Sequence, residues 1–83
     1  MTTADNGQDN GIGWAVKQMR DGRLVARRGW NGKGMWLYLV ADPDPMLEAS
    51  TMPYVVMNTA DGGKVPWLCS QTDLLANDWE VVS

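Results

Sequence analysis

Apolar residues recur at Ile12, Ala15, Val16 and Met19, the i, i+3, i+4, i+7 spacing of one helix face. Asn10 is predicted to cap the start of this helix, and Gly22 to end it as the glycine just past the last turn. The period then changes. "RLVARR" alternates, with Leu24 and Ala26 on one face and Val25 and Arg27 on the other, which predicts an extended strand. "GWNGKG" reads as a turn, because Asn31-Gly32 suits a two-residue hairpin whose central positions need positive φ. "MWLYLV" is the clearest strand, apolar on both faces and rich in aromatic and branched residues. Pro43, Pro45 and Pro53 punctuate a loop over 41–53. "YVVMN" is predicted as a third strand and "ADGG" as a turn. "KVPWLC" is a fourth strand in which Pro66 asks for an edge or a bulge. "SQTDLLAN" reads as a short helix: Ser70 and Asp73 have capping-box spacing, with Thr72 as a competing cap. "WEVV" closes as a last strand, Trp79 and Val81 on one face. The predicted fold is α+β, an N-terminal helix packed on a small antiparallel sheet of four to five strands, with a short second helix before the last strand.

Length bears on what this fold can bury. A chain of 83 residues is one domain. The polar, acidic residues 1–9 read as a disordered tail, and 10–83 as a single ligand-binding domain. A domain this size buries only about 60–65% of the surface its unfolded chain exposes, so its core is marginal. Five tryptophans are many for such a core, since each ring buries about 150–250 Å². Part of that aromatic area is expected at subunit interfaces or against a ligand, which predicts a homo-oligomer.

The supply of reactive groups is thin. There is no histidine and a single cysteine, Cys69. No disulfide can form within the chain, in keeping with a reducing cytosol, and no Cys/His metal set can be built. Cys69 sits in an apolar strand pattern, where it is expected to be buried and inert. The acid pairs Asp42/Asp44 and Asp78/Glu80 are not gathered into a pocket by anything in the sequence. No catalytic residue, metal or cofactor is therefore assigned, and a general acid–base hydrolase is the weakest reading. No run of about 18 apolar residues crosses a membrane, and the N-terminal stretch is neither a signal peptide nor an anchor.

Charge is unevenly spread over a net of −3. Six of the seven basic residues lie between Lys17 and Lys33, where Asp21 is the sole acid; from Asp42 onward seven acids face Lys64 alone. An acidic chain with one basic segment is poorly suited to duplex DNA, whose affinity rests on many phosphate contacts. It suits a small anion held by a few cations.

Two clusters could hold such an anion. Arg28, Trp30, Asn31 and Lys33 lie on or beside the glycine-rich turn, where backbone N–H groups can approach an anion closely. Trp30 offers a face on which a base can stack, and Asn31 can read an adenine edge. The second cluster is "PWLCSQTD": Trp67 is another flat ring, and Ser70, Gln71, Thr72 and Asp73 open a helix whose N–H groups suit an anion. Each has a plainer reading, Asn31-Gly32 as only a turn and Ser70–Asp73 as only a cap. Together they point to a nucleotide-like anion.

"ARRGWNGKGMWLYLV", "TADGGKVPWLCSQTDLLANDWEVV" and the leading helix resemble the Thoeris anti-defence protein two family of small phage proteins. The resemblance runs in order over nearly the whole chain from about Gly11. Asn58 and Cys69 depart from it, standing where lysine and alanine are expected. The resemblance implies a phage anti-defence sponge acting in the cytoplasm of the infected bacterial host. Such a protein binds and sequesters glycocyclic ADP-ribose, the cyclic ADP-ribose-type signal made by Thoeris TIR proteins, without cleaving it. It also implies a homotetramer with ligand pockets between chains, and in some members a separate site for cyclic di- or oligonucleotides. A reading of another class is an inhibitor that binds a host defence protein directly, for which Met46, Leu47 and Met52 in the 41–53 loop are the candidate surface.

Overall fold

The computed structural model describes residues 10–30, 34–47 and 52–83. The elements run α1 (Ile12–Arg20), β1 (Val25–Arg27), β2 (Trp36–Val40), β3 (Tyr54–Asn58), β4 (Lys64–Pro66), α2 (Gln71–Leu75) and β5 (Trp79–Val81). The five strands form one sheet in the order β4-β3-β2-β1-β5, with every neighbouring pair antiparallel. This is the predicted α+β architecture, with all five strands present. The predicted tail over residues 1–9 lies outside the described residues.

α1 buries the face its periodicity marks. Ala15 and Met19 are buried, and Ile12 and Val16 pack beside them against Val25, Leu37 and Trp79. The helix stops at Gly22, whose φ is 84°. The Gly22 N–H donates to the Met19 carbonyl (3.0 Å) and the Arg23 N–H to that of Gln18 (3.1 Å). That pair of bonds is the Schellman ending, and glycine enters its left-handed position without steric cost. The start differs from the expectation at Asn10. The capping position belongs to Gly11, with no side-chain bond. Asn10 instead pairs with the edge strand β5: its carbonyl accepts from the Trp79 N–H (3.1 Å) and its side-chain amide donates to the Trp79 carbonyl (3.2 Å). An unpaired strand edge offers both groups in extended register, and Asn10 satisfies them.

Register assigns the two sheet faces. Val25 lies opposite Leu37 and Val81, and Leu37 opposite Met57, so these side chains share the face beneath α1. Trp36, Tyr38, Val40, Tyr54 and Val56 point the other way. α1 packs on β5, β2 and β1, and α2 packs on α1. Both helices are thus on one side, and among the described residues no helix covers the second face.

Two local expectations, the length of the fourth strand and the burial of Cys69, are corrected. β1 ends at Arg27 and β2 begins at Trp36. The chain first turns at 27–30, where the Trp30 N–H donates to the Arg27 carbonyl (3.1 Å); Asn31, Gly32 and Lys33 lie outside the described residues. Strand β4 stops at Pro66, on the sheet edge as its missing N–H requires. The Trp67 N–H still reaches the Val55 carbonyl (2.9 Å), and the chain then leaves the sheet. Cys69 therefore lies in the connector to α2 and is exposed, not buried in a strand.

Candidate functional site

The site is organised by a residue that faces inward although it is charged. Arg27 follows Val25 on the inner face of β1, and its register partner is Trp79. Its guanidinium donates from Nε to Asp78 Oδ1 (2.8 Å), from Nη2 to Asp78 Oδ2 (3.5 Å) and from Nη1 to Asp73 Oδ1 (2.9 Å). The Arg27 side chain is 21% exposed and those of Asp73 and Asp78 are 14% and 25% exposed, so water screens the cluster only in part. Hydrogen bonds to both carboxylates raise the Arg27 pKa, and the Arg27 bonds hold Asp78 below the usual carboxylate range despite partial desolvation.

The two acids position the chain that leaves β1. Asp78 Oδ2 accepts from the Gly29 N–H (2.9 Å), and the Asp78 carbonyl accepts from the Arg28 N–H (3.0 Å). A Cβ at Gly29 would lie 3.0 Å from Asp78 Oδ2, so this approach favours glycine. Asp73 Oδ1 also accepts from the Trp30 indole N–H (3.2 Å). Asp73 is presented by α2, whose first turn is fixed by Ser70: its hydroxyl accepts from the Asp73 N–H (3.1 Å). Ser70 is thus the cap, and Thr72 is its hydroxyl neighbour at 3.0 Å. Ser70→Ala is expected to destabilise the fold by about 1 kcal/mol, checked by urea denaturation. An unchanged midpoint would mean that α2 does not need its cap.

Three tryptophans pack edge to face beside this network. Trp79 is fully buried, and Trp30 and Trp67 both meet it edge-on, with centroids at 5.4 and 5.9 Å. The Trp79 indole N–H donates to the Asp73 carbonyl (3.3 Å). The two predicted clusters are therefore neighbours in space, joined directly through the Trp30–Asp73 bond and through Trp79 between the rings.

A groove of about 370 Å³ opens beside them, lined by Ala26, Arg27, Arg28, Trp30, Gly34, Met35, Glu80 and Val82. Of the sequence candidates, Arg28 and Trp30 line it. Trp67 packs on Trp79 and does not line the groove, Ser70, Gln71 and Thr72 are exposed at the start of α2, and Asn31 and Lys33 are outside the described residues. Arg27 has its donors engaged, whereas Arg28 is 71% exposed and only loosely paired with Glu80 at 3.9 Å. Among the described residues, Arg28 is accordingly the cation that the groove can offer to an anion.

Sequence reasoning missed Arg27, Asp78, Trp79 and Glu80 as parts of the site. The available signal was Arg27 itself, a charge on the inward face of a strand, which demands a partner. Asn58 is buried and donates to the carbonyls of Gly34 and Thr59, both at 3.2 Å, tying β3 to the rim of the groove. The Cys69 thiol is pushed up by partial desolvation and by the charge of Asp73, which disfavours the thiolate. No group of three or more His, Cys, Asp or Glu among the described residues could hold a metal ion. No described helix is long and apolar enough to cross a membrane.

Two comparisons bear on what this arrangement serves. The profile of the Thoeris anti-defense 2-like domain matches residues 10–82. The chain belongs to the Thoeris anti-defense 2-like family. It is also 34% identical over 83 residues to the protein named Thoeris anti-defense 2 of Bacillus phage SP01, a match covering 87% of this chain and 93% of that one. Membership supports a role in phage anti-defence, and every element from Asn10 to Val81 falls inside the matched span.

Proposed function

We propose that this protein is a sponge that binds and sequesters a cyclic ADP-ribose-type signalling nucleotide, glycocyclic ADP-ribose, in the cytoplasm of the infected bacterial host, without cleaving it. The observation that carries the reading is the groove in which the Trp30 ring and the exposed Arg28 guanidinium lie together, in a chain of an anti-defence family. Its volume of about 370 Å³ is at the small end of ligand pockets. A purine on the Trp30 face and a pyrophosphate on Arg28 would use both groups. Asn31 and Lys33 belong to the same segment. Asp73 supports Trp30 with one oxygen and can meet a ribose hydroxyl with the other. Trp67, Ser70, Gln71 and Thr72 do not line this groove, and a pocket shared between copies is where they would meet the same ligand. A homo-oligomer, a tetramer in this reading, provides such pockets.

A signal-retention assay tests the proposal. The protein is incubated with glycocyclic ADP-ribose, freed of unbound material and heat-denatured. The released signal is expected to be intact, and altered signal would make the protein an enzyme. Trp30→Ala is expected to weaken binding about 5- to 150-fold, the loss of one stacked base. Titration calorimetry checks it, with Trp30→Phe as the variant that keeps a stacking ring. Unchanged affinity in Trp30→Ala would move the pocket elsewhere.

One observation favours a second reading, direct inhibition of a host defence protein. Met46, Leu47 and Met52 are 87%, 81% and 68% exposed on the β2–β3 connection, an apolar surface of the kind that marks protein contacts. Failure to retain any signal, with a host protein bound instead, would establish it.

A further inference from the structure

Asn10 is followed by Gly11, and the fold gives this pair a lock and a free nucleophile. The lock is on the edge strand β5. The Asn10 carbonyl accepts from the Trp79 N–H (3.1 Å) and the Asn10 side-chain amide donates to the Trp79 carbonyl (3.2 Å). One residue thus clasps both backbone polar groups of Trp79. The clasp spans 69 residues of sequence and ties the start of α1 to the ring at the centre of the tryptophan cluster. The nucleophile is the Gly11 nitrogen. The Gly11 carbonyl accepts from the Ala15 N–H (3.0 Å), but the Gly11 N–H makes no hydrogen bond among the described residues. Glycine has no Cβ to shield that nitrogen. Asn10 is half-buried, so water reaches it.

These groups can react with each other. The Gly11 nitrogen gives up its proton to water and attacks Cγ of Asn10. A C–N bond forms, the bond from Cγ to the side-chain nitrogen breaks, and that nitrogen leaves as ammonia. The resulting five-membered succinimide takes up one water. Opening at Cγ gives aspartate, and opening at the backbone carbonyl gives isoaspartate. The net change is one water in and one ammonia out, with no oxidation or reduction. The attack requires the side chain to turn from Trp79 onto the Gly11 nitrogen, which breaks the clasp.

We propose that Asn10-Gly11 is a self-modification site that acts as a one-way latch on the β5 edge. While the clasp is closed the reaction waits. When the edge opens locally, Asn10 converts, and the clasp does not form again. The amide that donated to the Trp79 carbonyl has become a carboxylate, which only accepts, so oxygen faces oxygen. Isoaspartate also lengthens the backbone by one carbon and moves the residue-10 carbonyl away from the Trp79 N–H. Every copy of the chain carries the latch, and it needs no enzyme and no ligand.

Peptide mapping of ageing protein tests it. The protein is held at mildly alkaline pH, once folded and once in urea, and digested at intervals. Fragment masses separate conversion at Asn10 from conversion at Asn6, which lies in the same tryptic peptide. Asn10 is expected to convert in both samples, about 5- to 150-fold more slowly in the folded one, the rarity that two net hydrogen bonds impose on the opened form. Asn10→Asp is expected to lower the urea midpoint of freshly made protein. Gly11→Ala, at a φ of −83° that suits alanine, is expected to keep the parent's midpoint and to slow conversion in urea. Equal rates in folded and unfolded protein, or no conversion in the folded one, overturn the latch. So does an Asn10→Asp midpoint equal to the parent's, which would mean that the clasp does not depend on the amide. No reading involves a ligand, so failure of the sponge leaves the result standing.

Discussion

Trp79→Ala is expected to leave much of the chain unfolded at room temperature. Trp79 is fully buried: Trp30 and Trp67 meet it edge-on, and Ala15, Met19, Val25 and Leu37 complete the buried cluster around it. Truncating a buried tryptophan costs about 3–5 kcal/mol in lost transfer and residual cavity. A chain of this length holds only about 4–12 kcal/mol in total, so the loss takes about a quarter or more of it. Two further effects add to the cavity. The Asp73 carbonyl loses its indole donor, and Trp30 and Trp67 each lose an edge-on partner. Trp79→Phe keeps a ring in place and should cost about 1–3 kcal/mol. Urea denaturation followed by far-ultraviolet circular dichroism, at one protein concentration, separates the two variants. A loss below about 1.5 kcal/mol for Trp79→Ala would show that the cluster closes over the gap, and that the three rings are not the keystone described above.

What could be read from the chain was what local pattern encodes. Ile12, Ala15, Val16 and Met19 announce α1 because a helix repeats over neighbouring turns, and Gly22 announces its end because few other residues enter the left-handed region at φ 84°. Ser70 announces α2, and Pro66 announces an edge, because each states a local hydrogen-bonding fact. Asn10 was misread on the same local grounds. Asparagine caps helices, but here the free edge of β5 competes for it, and that edge is 69 residues away in sequence. Cys69 was misread because "KVPWLC" continues a strand pattern after the sheet has ended. The candidate site was legible by halves. Arg28 and Trp30 stand out by residue type and meet in one groove. The network that holds them does not stand out, since Arg27 finds Asp73 and Asp78 across 46 and 51 residues. Partners so far apart leave no periodic trace, and only the inward position of Arg27 hints that they exist.

Arg27→Ala is expected to cost about 2–4 kcal/mol at neutral pH, and the cost should shrink in acid. Removing the guanidinium leaves two carboxylates, both less than a third exposed, facing each other without their shared cation. Truncating one partner of a desolvated charge pair is expensive mainly for that reason. The sign with pH follows from Asp78. Its folded pKa is lowered, first by the hydrogen bond from Arg27. The stability it contributes is therefore present above the ordinary carboxylate pKa of about 3.9 and is lost as pH falls through the folded value below it. In Arg27→Ala that lowering cause is gone, so protonating Asp78 removes less stability and relieves repulsion with Asp73. The gap between parent and variant should be widest at pH 6–8 and narrow steadily below about pH 4. Arg27→Lys should recover only part of the loss, because one ammonium cannot reproduce the forked contacts to Asp73 Oδ1 and both oxygens of Asp78. Urea midpoints for the three proteins from pH 3 to pH 8 give the comparison. A gap that stays constant over that range would mean that Arg27 stabilises the fold by packing its alkyl stem, and that the two carboxylates find other partners once it is gone.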